Sequence, residues 1–483
     1  MSARWPEVEL RLPQRRPWWR RWLRRIALTL LLALIGLGVR LYYRHHQAVT
    51  KLEEALAALD REEPGWRLKD IEAARAVVPD SKNGALCVAE TIKLLPQKWP
   101  PEKSERQFGD VPPPEQLGPA AYADLCKELD ALRPAVEEAR KLATRPNGRY
   151  KVTYLRNTFN TLLKDQAELR RVAKLLTYDA LRQAQAGDLK AALASCRATL
   201  NAGRSLGDEP FMVSLLLRTA CLSMACQTAE RVLAQGEPAP DDLLALQRLL
   251  RHEAAHPALW IATRGERALM HEMFDALECG DVRMSQLAGN DNTPPSWQER
   301  YFGWHLQDHF RAEHPVYLSM MTRRVAEAQL PPHEQAPTEQ AFAAAARALP
   351  KEAVLSRLFL PAVEKVGSAE RRRLANVRCL SAAVAAECYR REHGAWPGSL
   401  EKLVPAQLAE VPHDPFDGEP LRYRRLADGV LVYSVGHDHT DDGGNLDRAH
   451  PMQPGVDIGC RLWDVKHRRQ PPRPAEKGPG EAK

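Results

Sequence analysis

The chain has 483 residues, 44% apolar and only 6% aromatic, enough to bury a sizeable core of Leu, Ala and Val. Its formal charge of +7 sits at the ends: residues 1–25 hold eight Arg and two Glu, residues 466–483 hold six Lys or Arg and two Glu, and the 440 residues between sum to −3. A nucleic-acid binder needs a basic face on its folded body, so that class is set aside, and the length suggests two to three domains.

Residues 1–25 read as a basic cytoplasmic segment. Ile26 to Val39 is an uninterrupted apolar run, and Leu41, Tyr42 and Tyr43 extend it past Arg40. The run alone is too short for about 30 Å of hydrocarbon at 1.5 Å per residue, whereas Ile26 to Tyr43 suffices if Arg40 snorkels to the interface. Trp18, Trp19 and Trp22 on one side, with Tyr42 and Tyr43 on the other, fit headgroup-level aromatic belts. Arg15, Arg16, Arg20, Arg21, Arg24 and Arg25 outnumber Arg40, Arg44 and Lys51, so the positive-inside rule keeps the N-terminus in the cytoplasm. The rival is a cleaved signal peptide, but Arg40-Leu41-Tyr42-Tyr43-Arg44 offers no small-x-small cleavage site, and Arg20-Arg21-Trp22-Leu23 is only a weak twin-arginine pattern. The expectation is a single-pass anchor, 26–43, in the inner (cytoplasmic) membrane, with the bulk of the chain periplasmic.

An α-helical extracytoplasmic domain is expected over 44–350. Leu52, Ala55, Leu56 and Leu59 recur at helical spacing before Pro64-Gly65. Further helices are predicted at 68–77, 82–95, 120–144, 157–187, 188–205, 210–235, 240–256 and 258–279, each bounded by Pro or Gly. Segments 96–118 and 281–297 read as loops. The pair joined at Gly187-Asp188 is similar to a tetratricopeptide helix pair, without a second copy about 34 residues away. Nine unpatterned cysteines, with no C-x-x-C, predict buried free thiols instead of a disulfide framework.

One motif carries apparent chemistry. His252-Glu253-Ala254-Ala255-His256 matches H-E-x-x-H, which on a helix puts both imidazoles on one face to bind zinc while the Glu polarises a water. Glu272 or Glu278 could supply a third ligand. The alternative is a solvated helix end, because Pro257 follows directly and the apolar face runs through Leu243, Leu246, Leu250 and Ala254. No G-x-S-x-G or P-loop motif occurs, and the sequence identifies no small-molecule substrate.

Over 367–465 a small α+β module is predicted. Gly367 and Ser368 open a long helix, Ala369 to Glu392, stopped by His393-Gly394. A short helix, Ser399 to Leu408, precedes two β-rich runs, Leu421–Leu426 and Val430–Val435, about the Asp428-Gly429 turn. The order Y-R-R-E-H-G-A-W-P, S-L-E-K-L-V-P, V-P-H-D-P-F-D-G-E-P-L-R-Y, V-Y-S-V-G-H-D and the closing Gly455-Val456-Asp457-Ile458 resembles the soluble part of the type II secretion major pseudopilin. That resemblance implies a long helix plus antiparallel hairpin, and calcium held by Asp438, Asp441, Asp442 and Asp457 with backbone carbonyls. Hard Ca²⁺ wants six to eight oxygens, which a Gly-rich acidic loop can gather, although this loop is not an EF-hand. The anchor lacks that family's cleaved leader and early Glu, and about 320 residues separate it from the module. The whole chain also resembles uncharacterised bacterial membrane-anchored proteins, which implies no activity. Residues 466–483, rich in Pro, Lys and Arg, read as a disordered tail. The expected function is a non-enzymatic envelope protein with protein partners, with a membrane-tethered zinc metallopeptidase as the alternative and a helical-repeat scaffold as a third reading.

Overall fold

The apolar run and the polar helix beyond it form one element. α1 (Trp18–Glu62) has 45 residues and is about 67 Å long at 1.5 Å per residue. It is long and apolar enough to cross a membrane, and none of its apolar window is buried against the rest of the protein. At its other end Leu52, Leu56 and Leu59 close on Trp66 and Leu318. The computed structural model describes residues 18–472 apart from 110, 159–160, 162–163, 288–293 and 295–296.

The chain is mainly helical. Short helices α2 (Leu68–Ala74), α3 (Gly84–Leu94), α4 (Glu102–Gly109), α5 (Pro119–Ala131) and α6 (Arg133–Arg140) precede three longer ones, α7 (Lys164–Ala186), α8 (Leu189–Arg204) and α9 (Met212–Leu233). Asp188 starts α8 by accepting a hydrogen bond from the Ala191 N–H at 2.9 Å, satisfying one of the orphan donors of a helix start. Ala180, Ala184 and Ala192 then let α7 and α8 approach closely. By length and composition α9 could also span a membrane, but 61% of its apolar window is buried, as befits a core helix. The segment 96–118, expected as loop, folds α4, because Ser104 and Phe108 one turn apart find buried sites.

After α10 (Pro240–Ala254), α11 (Ala258–Cys279) and α12 (Met284–Leu287), α13 (Trp297–Glu327) and α14 (Gln335–Arg347) pack with α11 and the first half of α15 (Val354–His393) around Phe274, Tyr317 and Phe342. α15 corrects the expected start of the long helix at Ala369. It starts at Val354 and runs unbroken through Gly367 and Ser368, so no linker separates body from module. Gly367 is a packing site: a Cβ there would collide with Glu339 Oε1 and Arg324 Nη2. Glu339 in turn accepts from Arg324 at 2.6 Å and from Arg371 at 2.7 Å. These tertiary ion pairs override the poor helix propensity of glycine. Gly394 ends the helix as expected, at φ 75°, its N–H donating to the Arg390 carbonyl.

The predicted hairpin is present, and a third strand joins it. β1 (Arg422–Leu426), β2 (Gly429–Ser434) and β3 (Ile458–Trp463) form an antiparallel sheet in that order. β2 is buried throughout, and Val430, Val432, Cys460 and Leu462 share a core with Val377, Leu380 and Val384 of α15. The helix expected at Ser399–Leu408 shrinks to one 3₁₀ turn, Leu400–Leu403, since Pro405 has no N–H to continue it.

The expected disordered tail is corrected over 466–472. Arg468 is buried and donates to Glu387 Oε1 and Oε2 at 3.0 and 2.8 Å, and the Gln470 N–H reaches the Pro114 carbonyl at 2.7 Å. Composition alone could not reveal that buried carboxylate. Residues 473–483 lie outside the described residues. All nine cysteines are free, and seven are buried.

Candidate functional site

α10 ends at Ala254, so the H-E-A-A-H segment straddles the helix end. His252 is exposed in the last turn, and His256 is half-buried beyond it. Glu253 points the other way and is fully buried. Arg218, on α9, grips its carboxylate with two bonds, Nε to Oε1 at 2.8 Å and Nη2 to Oε2 at 2.6 Å. Arg204, at the end of α8, donates to Oε2 at 3.1 Å, and Arg373 of α15 donates to Oε1 at 2.8 Å. A carboxylate offers about four acceptor positions, and here all are filled.

The electrostatics follow from this cage. Burial alone would raise the Glu253 carboxyl, but Arg218, Arg373 and Arg204 outweigh it and hold it well below the usual carboxylate range. Arg373 is neutralised further by Glu370, which accepts from its Nε and Nη2, each at 2.6 Å. His256 is pushed down to about 3, by burial first and then by the Arg218 guanidinium, so its imidazole is neutral at pH 7.

His252 and His256 do share a cavity, of about 330 Å³, walled by segments 76–79 and 146–148 and the end of α8. The suggested third ligands are elsewhere occupied. Glu272 pairs with Arg156 at 3.6 Å. Glu278 Oε1 lies 2.7 Å from His314 Nδ1, whose other ring nitrogen is 3.1 Å from His271 Nδ1. What this arrangement can do is tie α8, α9, α10 and α15 together through one charge, since the oxygen that would polarise a water already accepts hydrogen bonds.

The acidic turn of the module is partly gathered. Asp457 is buried, and its Oδ2 accepts from the Gly444 N–H at 2.7 Å. Its carboxyl is pushed up by burial, and Asp441 and Asp442 add to the shift. Asp441 Oδ1 accepts from the Gly443 N–H at 2.9 Å and the Tyr433 hydroxyl at 3.1 Å. Asp438 instead closes the loop, accepting from the Gly455 N–H at 2.7 Å. Asp442 Oδ2 is buried with no hydrogen-bond partner. Among the described residues no three His, Cys, Asp or Glu side chains are arranged to hold a metal ion.

Sequence reasoning missed the arginine cage, although a trace of it exists. Arg218 sits in the apolar register of α9 between Leu215 and Leu222, and Arg373 sits in that of α15 beside Val377. A charge on a core face needs a buried partner, but its identity is not local information. No family model, curated protein or solved structure matches this chain, and the geometry above therefore carries the functional reading.

Proposed function

We propose that this chain is a membrane-anchored cell-envelope protein acting as a non-enzymatic interaction unit: a helical body held at the bilayer by α1, presenting a pseudopilin-like module to a protein partner. The Glu253 carboxylate carries the reading. Four hydrogen bonds from three arginines make it a pin joining body to module, and the unbroken α15 makes that junction stiff. The unburied apolar window of α1 supports the anchor, and the positive-inside rule favours a cytoplasmic N-terminus and a periplasmic body. Calcium binding by Asp438, Asp441, Asp442 and Asp457 belongs to the same proposal, supported by the unpaired Asp442 Oδ2 beside Asp441 and Asp457.

The test is photo-crosslinking in intact cells from exposed module positions, Arg425 and Asp441. The expected result is a discrete adduct with an envelope protein, not formed from Lys93 on α3. The shared cavity of His252 and His256 favours the second reading, a tethered zinc metallopeptidase. No adduct from the module, together with near-equimolar zinc lost in His252→Ala, would overturn the first reading in favour of that one.

A further inference from the structure

A second cavity, of about 400 Å³, lies between α7, α9, α15 and the 446–451 loop of the module. Small-molecule sites typically measure about 300–1,000 Å³. Neither the H-E-A-A-H histidines nor Glu253 line it.

Its acidic side chains are already engaged. Glu230, buried at the back, accepts from Arg448 and from the Arg461 N–H at 2.8 Å, which pins the loop over the cavity. Asp447 accepts from the Ala449 and His450 N–H groups of its own turn, and Asp457 from Gly444. Two lining cations are not engaged. Among the described residues no hydrogen bond or carboxylate engages the guanidinium of the exposed Arg170 of α7 or of the half-buried Arg372 of α15. Burial pulls the half-buried Arg372 guanidinium below its ordinary range, with no anion to offset it. Desolvating an unpaired charge works against folding, so the position makes physical sense when an anion arrives from outside.

The remaining wall fits such a guest. Thr219 is 5% exposed, and its hydroxyl has no hydrogen-bond partner. Ser223 follows one helical turn later on the same face of α9. Leu216 and Met224 supply apolar surface, Leu216 at the open side.

We propose that this cavity binds a small organic oxyanion, a carboxylate or phosphate carried on a short apolar group. Arg170 and Arg372 take the charged end, the Thr219 and Ser223 hydroxyls donate to it, and Leu216 and Met224 cover the apolar part. This site is independent of the crosslinking partner proposed above.

The experiment is calorimetric titration of the full chain in phosphatidylcholine nanodiscs with butyl phosphate, butanoate, butanol and inorganic phosphate. Saturable one-site binding of butyl phosphate or butanoate is expected, the tighter one identifying the oxyanion, with none for butanol. Arg372→Met should weaken that binding at least tenfold while leaving the Tm of the unliganded protein unchanged or higher, and Thr219→Val should weaken it several-fold. The proposal is overturned if neither alkyl anion binds, if inorganic phosphate binds as tightly as both, or if Arg372→Met leaves binding intact or lowers the unliganded Tm.

Discussion

Arg373 Nη1 lies 2.8 Å from Glu253 Oε1, both side chains fully buried, although 120 residues separate them. One charge on the last turn of α10 thus fixes where the long helix of the module crosses the body. Removing it leaves three buried guanidiniums without their shared carboxylate, and of these Arg373 keeps its bonds to Glu370. Glu253→Ala should cost about 3–5 kcal/mol, as expected for breaking a buried ion pair from one side. Glu253→Gln keeps the shape and part of the hydrogen bonding, and should fall between. Thermal unfolding reads both, and an unchanged Tm in Glu253→Ala would remove the pin.

Gly367 offers a test with an inverted sign. Gly to Ala inside a helix ordinarily gains about 0.5–1 kcal/mol. Here the new methyl meets Glu339 and Arg324, so Gly367→Ala should lower stability. A stabilised variant would show that the Arg324–Glu339–Arg371 cluster moves aside freely.

The neutral His256 makes stability depend on pH. It titrates at about 3 in the fold, against 6.5 as an ordinary side chain. Between those values the unfolded chain binds the extra proton. The contribution is therefore complete above pH 6.5 and lost as the pH falls toward 3, by at most about 1.4 kcal/mol per pH unit. His271 and His314, also pushed down to about 3 by burial, act in the same direction. Glu266 and Glu278, pushed up to about 7 by burial, act oppositely between 4.5 and 7. Comparison of the protein with His256→Gln isolates the one term: the variant should lose less stability on acidification, and parallel curves would refute the assignment.

Calcium is best tested on the full chain, because α15 makes the module continuous with the body. Millimolar Ca²⁺ should raise the Tm, by an amount set by RT ln(1 + [Ca²⁺]/Kd), and Asp457→Asn should abolish the shift. Neither heat nor stabilisation on titration would end the calcium reading.

Local patterns carried most of the helical architecture. The alternation of apolar stripes with Pro and Gly marked α7 to α11 to within a few residues, apart from the start of α7, and Asp428-Gly429 marked the hairpin. The misses share one cause. Gly367, Phe108, Arg468 and β3 each owe their structure to a partner distant in sequence: Glu339, Tyr178, Glu387 and β2 respectively.

The candidate sites divide in the same way. The His252–His256 spacing was visible, but the fate of Glu253 between them was set by arginines of α8, α9 and α15. The four aspartates were legible as a group, whereas their separation into Asp438 at the loop closure and Asp441, Asp442 and Asp457 in the turn was not.

By itself the sequence determined the apolar helix, the run of amphipathic helices and the hairpin, because those follow from side-chain periodicity and backbone preference within a few residues. Only the tertiary structure decided which charges are buried and with whom, and hence that Glu253 is held by arginines while Arg372 is left facing a cavity. Desolvation makes each such charge depend on its whole surroundings, and surroundings assembled from five helices are not written in any one stretch of chain.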